Sequence, residues 1–258
     1  MESRKEEEIE FHDKLRGDEL RSKDPDFRFL TSNRKYYSIT RKSVDFAKGW
    51  MSERCKNKTT LDYCCGDGAV AIFLAKNGAK SIGIDISPVS IDNCQKIAVK
   101  EGVAENASFF VMDAEKLDFA DNYFDTIVCS GVLHHLNIEK AYRELSRVLK
   151  PDGEIICIEP LIYNPIFQLY RVLTPHLRTK YETENILTKK KIDLAKNYFE
   201  KVDYRFFHLA TLAAVPFRNS SLFNPVLEVL EKIDSVLLKL PLVKWFSWQI
   251  VFILSKPK

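Results

Sequence analysis

Between residues 59 and 159, five short apolar runs alternate with segments of helical periodicity. No other feature of this chain constrains its fold as much. The runs are 59–63, 81–85, 107–112, 124–130 and 154–159. Helical stretches fill 69–77, 87–100 and 138–149, with Gly78 and Gly102 as stops and Ser87-Pro88 as a start. Lys150-Pro151-Asp152-Gly153 reads as a turn before the fifth run. Apolar strands separated by helices predict a parallel sheet covered on both faces. Ligands of such sheets sit outside the carboxyl ends of the strands, at the switch point. Here those ends are 64–68, Asp85, Asp113, 130–135 and Glu159-Pro160.

Residues 1–58 read as a helical cap with a turn at Asp24-Pro25, and 59–258 as the main domain. Residues 38–54 carry Ile39, Val44, Phe46, Ala47, Trp50 and Met51 at helical spacing. After 160 the rhythm breaks. An insertion at 161–189 precedes a helix at 190–197 and a strand at 202–208. A second insertion at 209–244 precedes a last strand at 245–254. Within it Val226, Val229, Leu230, Ile233, Val236, Leu237 and Leu240 form one apolar helix face, while Asp234 points elsewhere.

The formal net charge of the 258 residues is +3, too small to point to nucleic acid as a partner. No apolar run approaches the ~20 residues of a spanning helix. The mixed charge of the 225–240 helix argues against a peripheral membrane contact and leaves an oligomer interface open. The six cysteines show no CxxC pair and no metal-ligand spacing, so no metal is expected. Free thiols and the absence of a signal-peptide core point to a reduced, cytoplasmic setting.

Residues 61–71 read Leu-Asp-Tyr-Cys-Cys-Gly-Asp-Gly-Ala-Val-Ala, a strand, a glycine turn and a helix start. Such a turn offers free N–H groups and a positive helix end. It fits a dinucleotide fingerprint, with Asp85 at the distance of a ribose ligand, so an NAD-dependent oxidoreductase is one reading. Asp62 and Asp67 flank the turn, however, and two carboxylates repel a pyrophosphate. They suit a ligand carrying an ammonium and a sulfonium, with one carboxylate for the helix end, which is the pattern of S-adenosylmethionine (SAM).

The chain resembles the class I, Rossmann-like SAM-dependent methyltransferases of small-molecule type. The resemblance rests on residues 61–68, Ile82-Gly83-Ile84-Asp85-Ile86-Ser87, Asp113-Ala114-Glu115, 124–136 and Arg147-Val148-Leu149-Lys150-Pro151-Asp152-Gly153. These occur in family order and spacing over about residues 59–160. It implies an α/β fold: a seven-stranded, mostly parallel, doubly wound sheet with its last strand antiparallel. An N-terminal helical cap and helical insertions after strands 5 and 6 complete it.

It also implies site residues. Gly66 and Gly68 bring backbone against the methionine part, and Asp62 places its amino group. Asp85 takes the ribose hydroxyls, Ile86 packs on adenine, and Asp113 with Ala114 holds the adenine edge. Ser130 and Gly131 line the sulfonium side. Cys64 stands where the family commonly has glycine, which implies an altered contact near the methionine moiety. After transfer the product is S-adenosylhomocysteine.

Methyl transfer is an in-line displacement, and a hydroxyl acceptor needs a base. His134 and His135 follow the fourth strand and suit that role near neutral pH. Glu159 is a further base or orients a histidine. His12 reads as exposed surface, and His176 and His208 as ordinary polar contacts. Tyr36, Tyr37, Phe167 and Tyr170 are candidate substrate contacts beneath an apolar lid. The leading expectation is O-methylation of a small, fairly apolar metabolite, such as a prenylated phenol, a polyketide-like or a sugar-bearing molecule. The alternatives are N- or C-methylation of a small molecule, lipid or quinone, and a non-catalytic SAM-binding protein.

Overall fold

A computed structural model describes residues 2–16, 34–175 and 179–258. The expected turn at Asp24-Pro25 and His176 lie outside the described residues. The core is one seven-stranded sheet in the order β3-β2-β1-β4-β5-β7-β6. The strands are β1 (Thr59–Tyr63), β2 (Lys80–Asp85), β3 (Ala107–Val111), β4 (Phe124–Ser130), β5 (Leu149–Pro160), β6 (Phe199–Phe207) and β7 (Gln249–Pro257). The first five pair in parallel, and β7 runs antiparallel to both β5 and β6. This is the expected fold class. Strand order reverses between β1 and β4, so the switch point lies where the glycine turn begins.

Helices α1 (Glu2–Arg16), α2 (Arg34–Tyr37) and α3 (Arg41–Cys55) precede the sheet. Between the parallel strands run α4 (Ala69–Lys76), α5 (Pro88–Lys100) and α6 (Ile138–Val148). The Ser87 and Asn137 side chains cap the last two by accepting the N–H groups of Ser90 and Lys140. Leu61, Tyr63, Ile84, Ile127 and Cys157 are fully buried between the layers.

After β5 come α7 (Pro165–Leu173), α8 (Lys180–Asn185) and α9 (Lys189–Asp193). After β6 come a 3-10 segment (Ala210–Phe217), α10 (Phe223–Leu237) and a 3-10 turn (Val243–Phe246). α7 and α10 meet in an aromatic and aliphatic cluster with Trp248.

Several details differ from expectation: the strand expected at 202–208 runs Phe199–Phe207, and the helix expected at 190–197 ends at Asp193 in a 3-10 turn. The last strand starts at Gln249, not Trp245, because Trp245 sits in the 3-10 turn against the Phe206 ring, 5.0 Å between centroids. β5 begins at Leu149 and carries the Pro-Asp-Gly turn residues, its register shifting opposite Phe124. The apolar stripe of α10 does not face inward as a whole: Val229, Ile233, Val236 and Leu240 are exposed, while Leu227 and Asp234 are buried. The reason is polar. The Asp234 carboxylate accepts the N–H groups of Leu209, Ala210 and Thr211 and the Thr211 hydroxyl, so its side of the helix must face the 3-10 segment.

Gly83 on β2 leaves room for Phe109: a Cβ there would stand 2.6 Å from the Phe109 ring. Gly83→Ala is expected to cost about 2 kcal/mol by overpacking. Denaturant unfolding checks this as a lower midpoint with an unchanged slope.

Candidate functional site

The carboxyl ends of β1, β2 and β4 open into a cavity of about 500 Å³. Asp62, Cys64, Gly66, Asp85, Ile86, Asp113, Ala114, Ser130 and Gly131 all line it. Among the cofactor residues expected from the sequence, only Gly68 is absent from that lining. It caps α4 with φ +74°, and a Cβ would stand 2.8 Å from Cys94 Sγ. Its role is to start the helix and let α5 approach.

Buried carboxylates hold the turn. Asp62 Oδ2 accepts the Ala71 N–H at 2.9 Å. Asp85 Oδ2 accepts the Gly66 N–H at 2.9 Å and Oδ1 the Ser87 N–H at 3.0 Å. Burial pushes the Asp62 carboxyl up to about 7, the Ala71 N–H opposes this, and the Asp67 and Asp85 charges add to the rise. Such a group becomes a carboxylate readily when a cation arrives. Cys64 adopts φ +59°, the left-handed conformation a glycine would take, at a cost of about 1–2 kcal/mol. The turn geometry is thus kept without the glycine. Burial and the charge of Asp85 hold its thiol well above the ordinary range. The Tyr63 hydroxyl donates to the Ala114 carbonyl at 2.5 Å, fixing the far end of the cavity.

A second cavity of about 260 Å³ adjoins the first. The two share His12, Tyr37, Ser130, Gly131 and His135. Its other walls include His134, Glu159, Phe167, Arg171, Glu182 and Trp248. Of the expected substrate contacts, Tyr37 and Phe167 line it. Tyr36 and Tyr170 stand behind Phe167, with the Tyr36 ring 4.6 Å from that of Phe167 and 5.0 Å from that of Tyr170.

Glu159 is buried, not a rim residue. Its Oε1 accepts the N–H groups of Val132 and Leu133, both at 2.8 Å, and Oε2 lies 2.7 Å from His134 Nδ1. One carboxylate therefore shapes the loop after β4 and aims the His134 ring, leaving Nε2 turned toward Glu182, 4.0 Å away. His135 Nδ1 lies 3.1 Å from Glu8 Oε2. Burial lowers the His135 pKa, but the Glu8 hydrogen bond and the charges of Glu182, Glu8 and Glu159 outweigh it, so the net direction is upward. His208 is buried against the Ser43 hydroxyl at 2.8 Å, and burial lowers its pKa to about 4.

Helix α1 walls the first cavity. Arg4 pairs with Glu115 at 2.5 Å, Lys5 with Asp113, and Asp13 accepts from the Ser87 hydroxyl. His12, expected at the surface, faces both cavities because Phe11 and His12 turn inward there. The sequence reading missed Arg4, Lys5, Glu8, Arg171, Glu182 and Trp248. A signal existed for one of them: Glu8 and His12 are four apart and share a helix face, though the Glu6-Glu7-Glu8 run masks it.

Residues 61–157 match the family model described as a methyltransferase domain. Over 110 residues the chain is 36% identical to the ubiquinone/menaquinone biosynthesis C-methyltransferase UbiE of Rickettsia prowazekii, covering 40% of this chain and 44% of that protein. The chain thus spans less than half the length of that relative. It is 30% identical over 153 residues to the norajmaline N-methyltransferase of Rauvolfia serpentina, covering 58% of this chain and 50% of that one. The PH0226 protein of Pyrococcus horikoshii shares the fold, with a TM-score of 0.58 at 19% identity over 92% of this chain and all of that one. Among the described residues, no helix is long and apolar enough to cross a membrane.

Glu159→Ala would leave two buried N–H groups and the His134 ring without their acceptor. A stability loss of about 3 kcal/mol is expected, measured as a fall in thermal midpoint of about 6–12 °C.

Proposed function

We propose that this chain, which carries a methyltransferase domain of the class I, Rossmann-like kind over residues 61–157, methylates a hydroxyl group of a small, fairly apolar molecule. Its cofactor is SAM, which supplies an electrophilic methyl on a sulfonium centre and leaves as S-adenosylhomocysteine. The first cavity fits that group. Its volume lies in the range of small-molecule sites, and its deepest acid, Asp62, is one that a ligand cation would ionise. Asp62 holds the ammonium, Asp85 the ribose and Asp113 the adenine edge, with Ser130 and Gly131 where the two cavities join.

The observation that carries the hydroxyl assignment is the Glu159–His134 pair. Glu159 takes the Nδ1 hydrogen, which places the acceptor lone pair of His134 on Nε2 beside the second cavity. His134 Nε2 receives the hydroxyl proton as the acceptor oxygen gains its methyl. His135 is the poorer base because its contact with Glu8 favours the protonated ring. Tyr37, Phe167 and Trp248 orient an apolar acceptor and exclude water.

The printed activities of the relatives are C- and N-methylation, so a nitrogen or carbon acceptor is the second reading. A free amine carries its own lone pair and needs no base. His134→Ala separates the two readings. Assayed with labelled SAM against hydroxyl-bearing apolar metabolites, it is expected to lower turnover by about 10²–10³-fold, with SAM affinity unchanged. An unchanged rate removes His134 as the base, and labelling of amine-bearing but not hydroxyl-bearing metabolites points to the amine.

SAM affinity is expected to depend on Asp62. With the free carboxyl near 7, binding of an ammonium expels its proton, so affinity rises with pH. Calorimetry is expected to show roughly tenfold tighter binding at pH 8 than at pH 6. Asp62→Asn should be weak and flat across that range.

A further inference from the structure

Folding brings three ligand-capable side chains to the wall shared by the two cavities. Glu8 and His12 lie one helical turn apart on α1, and His135 approaches from the loop after β4. Glu8 Oε2 stands 3.1 Å from His135 Nδ1 and 3.4 Å from His12 Nε2. The three donor atoms all lie within 4.8 Å of one another. Ligand atoms about 2.1 Å from a divalent ion stand about 3.4 Å apart in a tetrahedral site, and about 3.0 Å apart in an octahedral one. Both measured edges fall in that range.

The supporting contacts fit as well. Glu8 Oε1 accepts from the Thr179 hydroxyl, the kind of outer contact that orients a ligating carboxylate. Glu8 is buried. The side chains of His12 and His135 are each 19% exposed and line both cavities.

We propose that Glu8, His12 and His135 bind one divalent cation of borderline softness, zinc foremost, between the two cavities. Two imidazoles and one carboxylate oxygen suit zinc or its transition-metal neighbours better than magnesium or calcium. Three protein ligands leave a position open, and here it faces the chamber assigned to the acceptor. An oxygen of the acceptor fills it. The ion also joins α1 to the loop after β4, closing the cofactor cavity on that side. A second grouping, His134, His135 and Glu182, is looser: His134 Nδ1 is engaged by Glu159, and Nε2 is 4.0 Å from Glu182. Because both groupings use His135, they compete for a single ion.

The test uses the tag-free, chelator-stripped full chain, titrated with zinc by calorimetry and with cobalt by visible absorption. One equivalent is expected to bind, with cobalt giving ligand-field bands. His12→Ala and Glu8→Gln should each weaken binding by about a hundredfold, and Glu182→Gln should leave it within a few-fold. Circular dichroism and thermal unfolding verify that the variants fold. Wild-type affinity no greater than that of His12→Ala would overturn the proposal, as would equal loss in Glu182→Gln. Because the readout is metal binding, failure here is distinguishable from failure of the methylation reading.

Discussion

Where a parallel sheet ends, the backbone must leave its ladder, and the N–H groups beyond the last pairing need acceptors. In this protein three buried carboxylates supply them. Asp62 serves Ala71, Asp85 serves Gly66 and Ser87, and Glu159 serves Val132 and Leu133. Each acid sits at the end of its strand and reaches across to the start of a helix or turn. The loops so held form the floor of the cofactor cavity and one wall of its neighbour. Their rigidity comes from charge-assisted bonds in a dry setting, which are strong when complete and costly to break.

The N-terminal helix adds the opposite wall by a different means. Its contacts with the domain are ionic: Arg4 and Lys5 meet Glu115 and Asp113, and Glu8 meets His135. Glu115 and Glu8 are buried in these pairs, whereas the Lys5–Asp113 pair is partly exposed and responds to salt. Buried carboxylates thus hold both the floor of the site and part of its cover. Lys5 occupies Asp113, the residue proposed for the adenine edge.

Much of this was legible in the sequence, for a physical reason. Strand ends are marked by local patterns: Asp62 after an apolar run, Asp85 before Ser87-Pro88, and the turn between Asp67 and Ala71. Of these, Asp62, Asp67, Ala69, Val70 and Asp85 line the cavity. Gly68 was assigned to the ligand because a glycine in such a turn is ambiguous between close backbone approach and close packing; only the neighbouring Cys94 decides. Arg171, Glu182 and Trp248 were not legible, because what gathers them is the path of the two insertions, not their spacing. Asp234 shows the same limit. The apolar stripe of α10 was read as one continuous face, and a carboxylate accepting three N–H groups turned the Asp234 side inward instead.

Cys64 sits in the wall of the cofactor cavity, beside carboxylates on three strands. A thiol next to an activated methyl is a hazard, since a sulfur nucleophile competes with any acceptor. It is the thiolate that reacts, and burial together with Asp85 and Asp62 keeps this sulfur protonated. The same acids that shape the turn keep the thiol in it unreactive.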